Sequence, residues 1–182
     1  MTIEYLNKKT WAEISREERL FCAELYFQMR KDIKPFLDLL EQDNLQSFEI
    51  GYEVCFYRDV LKEYGKSVKI EKLPQKRTFD LVLMSNKEIH IIEAKAQQGF
   101  ETDQLQYFQD DRDHLKKLFS IIGVTVPHIY LYAIHSSKYT PSEEVTKCFT
   151  KLITWQEIAN RYQSAQVLFK RADEIYEARY VR

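Results

Sequence analysis

The chain reads as an α/β protein built on one mixed β-sheet flanked by helices, and three observations predict it. Near residue 66 the apolar spacing changes from three and four to two, so helix gives way to strand. Two dense apolar runs, Phe79 to Met84 and Ile89 to Ala94, are separated only by Ser85 to Glu88, which makes an antiparallel pair. A helical stretch then leads to a further strand at His128 to His135, and a crossover of that kind leaves its two strands parallel. With 182 residues and 45% hydrophobic content, one core and one domain spanning residues 1–182 are expected. Within it, 1–46 reads as an N-terminal helical extension, 47–136 as the core and 137–182 as a C-terminal helical extension.

Each element has its own signal. Thr10 and Ser15 are each followed three residues later by Glu13 and Glu18, the spacing of a capping box, so a long helix is expected to run to about Lys34. Pro35 interrupts it, and a short helix through Leu37, Leu39 and Leu40 ends near Asp43 and Asn44. From Ser47, the residues Ile50, Val54, Tyr57, Leu61 and Tyr64 fit an amphipathic helix closed by Gly65. Ser67 to Leu73 alternates Val68, Ile70 and Leu73 with lysines, as a strand does. A helix from about Thr102 to Ile121 separates the hairpin from the last strand, and Thr154 caps a helical tail reaching about Tyr180. The core order is therefore α, β, β, β, α, β.

Composition excludes several functions. The net charge is −1 with 30% charged residues, so the chain is folded rather than disordered, and nucleic-acid binding must rest on a local patch or on divalent cations. Cys22, Cys55 and Cys148 are scattered and odd in number, which fits a reducing compartment and no zinc knuckle. No signal core or spanning segment is visible, so a cytoplasmic protein without membrane association is expected. Gly65-Lys66-Ser67 is no phosphate loop, because Val60 stands where the first glycine belongs. The four histidines lack metal-ligand spacing, and the run Asp110 to Asp113 reads as a solvated helix face.

The productive constellation is Asp80, Glu93 and Lys95. On a strand, Glu93 and Lys95 share one face, whereas the similar triplet Asp32-Ile33-Lys34 lies in a helical segment that cannot present both groups together. If Met84 faces Ile89 across the turn, Asp80 falls opposite Glu93, with Cα atoms roughly 4.5–5.5 Å apart. Two facing carboxylates repel unless a cation lies between them. Glu53 adds a third acid, since its neighbours Phe56, Tyr57, Val60 and Leu61 make it interrupt an apolar helical stripe; Glu49, one turn earlier, is the competing choice. Lys62, Lys66, Lys69, Lys72, Lys76 and Arg77 form either a phosphate-facing patch or a lysine-protected edge strand.

These residues, with the element order from Ser47 to Ser136, resemble the PD-(D/E)XK nuclease superfamily, although Phe79 replaces the name-giving proline. The resemblance implies a restriction-endonuclease-like sheet and a DNA phosphodiester hydrolase. Asp80 and Glu93 would ligate Mg²⁺ or Mn²⁺, Lys95 would orient or deprotonate the attacking water, and Glu53 would complete the metal site from its helix. Gln104 corresponds to a glutamine that many relatives place near the substrate. DNA is the expected partner, and the sequence leaves room for a homodimer or a protein partner. The alternative is a catalytically silent nuclease-like module that binds protein or DNA.

Overall fold

A computed structural model describes residues 7–14, 16–42 and 47–178, apart from the side chains of residues 102 and 103. Its elements are α1 (Trp11–Ile14), α2 (Glu18–Lys31), α3 (Lys34–Leu39), β1 (Glu49–Val54), α4 (Phe56–Glu63), β2 (Phe79–Met84), β3 (Glu88–Ala94), α5 (Thr102–Ile122), β4 (His128–His135), α6 (Glu143–Cys148), β5 (Lys151–Thr154), α7 (Trp155–Arg161) and α8 (Gln166–Ala178). The five strands form one mixed sheet in the order β1-β2-β3-β4-β5. The first three pair antiparallel, and β3, β4 and β5 pair parallel through the crossovers α5 and α6. Among the described residues no helix is long and apolar enough to cross a membrane.

The sheet separates two apolar layers. On one side, Leu81, Leu83, Ile92 and Ile134 pack with Phe21 and Leu25 of α2 and with Trp155, Ile158 and Phe169 of α7 and α8. On the other, Val82, Ile91, Leu131 and Ala133 pack with Tyr57 and Leu61 of α4 and with Leu115 and Phe119 of α5. Burying an aromatic or aliphatic side chain in such layers contributes about 1.5–3 kcal/mol each, so the sheet needs both covers.

The hairpin forms as its alternation requires: Met84 pairs with Ile89 and Leu81 with Ile92. Two other elements differ from expectation. The stretch 47–65 is not one helix; its first half is the edge strand β1, and only Phe56–Glu63 is helical, closed at Gly65 in the left-handed region (φ 64°). Ile50, Tyr52 and Val54 satisfy a period of two as well as a helical one, and pairing with the open edge of β2 decides between them. The segment 67–73 is not a strand but a closed run of turns, because β1 already occupies the place beside β2.

The ends also differ. Glu13 caps Thr10 from one side, with Thr10 N–H and Oγ1 both donating to Glu13 Oε2 (2.7 and 2.8 Å) while the Glu13 N–H goes to the Thr10 carbonyl, but this serves the single turn α1, and α2 begins separately at Glu18. The cap expected at Ser15 and the helix end expected near Asp43 and Asn44 lie outside the described residues. Pro35 opens α3 rather than breaking a helix, since its missing N–H costs nothing in the first turn. Residues 137–182 are not purely helical, because β5 extends the sheet before Thr154 and Glu157 cap α7 in a capping box. The expected order α, β, β, β, α, β over 47–136 is replaced by β1, α4, β2, β3, α5, β4, with α2 and α3 preceding it; the mixed sheet flanked by helices is as expected.

Candidate active site

The site grows from one level of the sheet. Pairs Tyr52 with Leu81 and Val54 with Phe79 bracket Glu53 and Asp80, so Glu53 stands across from Asp80 on one side. One step beyond the pair Leu81 and Ile92, Glu93 stands across from it on the other. Three acidic residues thus stand at one level of the backbone across β1, β2 and β3. The regular ladder stops there: Asp80 Oδ2 accepts the Ala94 N–H at 2.8 Å, and Glu53 adopts φ 51°, a left-handed value that is costly for a side-chain-bearing residue. Glu53 is therefore strand-borne rather than helix-borne, and Glu49 pairs with Met84 at the far end of β1.

Lys95 follows directly at the end of β3. Its N–H donates to Ile134 O at 2.8 Å and its carbonyl accepts from Trp155 Nε1 at 3.0 Å, which fixes the backbone between β4 and α7. Its buried ammonium lies 3.6 Å from Glu93 Oε1 and 3.5 Å from Glu18 Oε1. Glu18, the first residue of α2, also accepts the Ala96 N–H at 2.8 Å. The helix-borne acid of the site is thus Glu18. Burial, and then the charges of Asp80, Glu18, Glu93 and Glu53, push the Cys22 thiol of α2 well above its ordinary range.

A second cation enters from the other side. Arg77 donates from Nε to Asp111 Oδ2 at 2.8 Å, and its Nη2 lies 3.5 Å from Glu93 Oε2. The guanidinium carbon lies 5.0 Å from the centres of both the Phe79 and the Phe108 rings. Tyr57 Oη donates to Asp111 Oδ1 at 2.6 Å, so α4 and α5 together hold Arg77 in place. Asp111 is buried, not part of a solvated face.

Electrostatics set what this arrangement can do. Burial and then repulsion from Asp80 push the Glu93 carboxyl up to about 8, against the pull of Arg77 and Lys95. Burial raises Asp80 too, and the Ala94 N–H and Lys95 only partly offset it. Lys95 is lowered by burial, but Glu93, Glu18 and Asp80 outweigh that and leave it raised and charged. Five carboxylates, those of Glu18, Glu53, Asp80, Glu93 and Asp111, meet the three cations Arg19, Arg77 and Lys95. If all ionise, the deficit of two charges equals one divalent cation.

Glu93 Oε2 is buried without a hydrogen-bond partner, and the donors are all oxygen, which suits Mg²⁺ or Mn²⁺. No group of three or more His, Cys, Asp and Glu among the described residues is already drawn together around a metal position; Lys95 and Arg77 engage Glu93 instead.

Gln104 lies in the first turn of α5 with a buried, unpartnered Oε1, and makes no hydrogen bond to Asp80, Glu93 or Lys95. An open pocket of about 390 Å³ lined by Glu17, Glu18, Arg19, Gln97 and Gln98 reaches the Glu18 side of the site. A larger one, about 460 Å³ between Met29–Ile33 and Ser47–Ile50, carries none of these groups. Sequence spacing assigns Glu18 only a capping role, Asp111 a solvated face and Arg77 a phosphate-facing patch; instead Arg77 turns inward to Asp111 and Glu93, and Glu18 meets Lys95, contacts made through packing that spacing does not report. Comparison with family models, curated proteins and solved structures finds no match to this chain.

Proposed function

We propose that the chain is a metal-dependent nuclease of the PD-(D/E)XK kind, with a restriction-endonuclease-like sheet, that hydrolyses DNA phosphodiester bonds. The observation that carries the reading is the pairing of half-buried Asp80 with buried Glu93 at facing strand positions, with the Lys95 ammonium 3.6 Å from Glu93. The antiparallel run β1, β2, β3 followed by the crossover α5 to the parallel strand β4 supports it as well. Asp80 and Glu93 would hold Mg²⁺ or Mn²⁺, with Glu53 or Glu18 as the further acid. A bound divalent ion supplies charge neutralisation at the phosphate and a more acidic water.

The chain's own groups do the rest. Lys95 orients the attacking water and faces the charge that develops on the phosphate oxygens. Glu18 holds the Lys95 ammonium from behind, and the Trp155 and Ile134 contacts fix its backbone. Arg77, braced by Asp111, holds Glu93.

A second reading, a catalytically silent module that binds DNA or protein, is favoured by one observation: Lys95 and Arg77 already neutralise Glu93. The two part in one experiment. Purified protein is incubated with supercoiled, linear and branched DNA in Mg²⁺, Mn²⁺ or EDTA, beside Asp80→Asn. Cutting that needs the ion and Asp80 supports the nuclease. Equal cutting in EDTA by both proteins, or none by the wild type with either ion, overturns it.

A further inference from the structure

We infer that the segment from Gly65 to Arg77 is a preformed arm that grips the sugar-phosphate backbone of duplex nucleic acid beside the reacting bond. The inference rests on the nuclease reading for its substrate class, and on the following geometry for its place. The segment leaves α4 through the left-handed Gly65 and is closed by its own backbone: Lys66 N–H donates to Leu61 O (2.8 Å), Glu71 N–H to Ser67 O (3.1 Å) and Leu73 N–H to Val68 O (3.1 Å). Leu73 is buried in the core beneath α4 and α5, and Lys117 of α5 donates to Glu71 O at 2.6 Å. The far end is Arg77, pinned by Asp111.

An arm so tied presents its outer surface without first having to order itself, which removes one cost of binding. That surface holds Lys66, Lys69, Lys72 and Lys76, and Lys62 at the end of α4 adjoins it; all five are exposed and none is in an ion pair among the described residues. Lysines on an edge strand would serve to block pairing. The segment is not a strand, and β1 is the edge, so that explanation does not apply. Ile70 stands among them with 78% of its surface exposed.

Position selects the occupant. Only three residues separate Lys76 from Asp80, at most about 14 Å of extended chain, so a backbone resting on the arm passes the acidic row. Exposed Ile70 with half-exposed Tyr64 beside the arm is too little apolar surface to hold a lipid bilayer, whereas both can rest on deoxyribose in a groove.

Binding, not cleavage, tests this. A fluorescein-labelled duplex of about 25 base pairs is titrated in EDTA at several salt concentrations, with the wild type, a variant carrying Gln at all five lysines, and Ile70→Ser. Each lysine that meets a phosphate contributes about 0.9 to the slope of log affinity against log salt, so the five-lysine variant should lose up to about 4.5 from that slope and at least tenfold in affinity. Ile70→Ser should lose affinity with the slope unchanged. Unaltered affinity and slope in the five-lysine variant overturn the inference, as does tighter, lysine-dependent binding to phosphatidylserine vesicles than to duplex. The two readings fail separately. A wild type that binds with the steep slope but never cuts leaves the arm standing without the nuclease, and one that cuts while the lysines prove irrelevant does the reverse.

Discussion

Asp80 sits at the centre of a row whose other members, Glu53 and Glu93, come from the strands on either side, and the three do not contribute equally. Glu53 holds a left-handed backbone that costs about 1–3 kcal/mol, a strain retained at the strand level of Asp80, where its carboxylate pairs with Arg19 at 3.3 Å. Glu53→Gly should therefore leave stability unchanged or raise it by about 1 kcal/mol in denaturant unfolding, while weakening Mn²⁺ binding. Glu53→Gln and Glu18→Gln should each weaken Mn²⁺ binding more than Glu49→Gln, whose carboxylate lies at the other end of β1; calorimetric titration of the three variants decides it. If Glu49→Gln alone lost the ion, the row would be the wrong set. Asp80, Glu93 and Lys95 were legible beforehand because strand periodicity and a short turn fix register by counting. Glu18 was not, since the bond from Ala96 to Glu18 joins residues 78 apart in the chain, and only packing brings them together.

At the scale of elements, β1 explains both the site and the misread segment. Its apolar residues suit helix and strand alike, and the deciding term is the edge of β2, which local spacing does not report. Gly51 marks the choice: a Cβ there would meet Val54 Cγ2 at 2.5 Å, closer than carbon atoms tolerate, next to the left-handed Glu53. Gly51→Ala should destabilise by about 1–3 kcal/mol, read from the denaturant midpoint. A neutral effect would mean that β1 is straighter at Glu53 than described. The hairpin of β2 and β3 and the crossover to β4 were readable because dense alternating runs, a short turn and a helix-length gap leave few alternatives. The short strand β5, four residues long, carries too little pattern to be seen.

For the whole molecule, buried acids make stability depend on pH and on cations together. Glu93 titrates at about 8 in the folded chain against an ordinary 4.5, so between those values the native state holds a proton that the unfolded chain releases. The metal-free protein should therefore lose stability as pH rises from about 5 to 8, by up to about 1.4 kcal/mol per pH unit. A divalent ion should restore it most at the upper end. Urea unfolding in EDTA at pH 5.5 and 8, repeated with Mg²⁺ and with Glu93→Gln, checks this, and the variant should flatten the dependence. Rising stability over that range in EDTA would contradict the burial of Glu93. The most direct measurement is calorimetric titration of Mn²⁺ into the wild type and into Asp80→Asn at pH 7.5. The acidic row predicts one ion per chain in the wild type and at least tenfold weaker binding in the variant. Equal binding by both, or none by the wild type, would contradict a divalent-cation site built on Asp80 and Glu93.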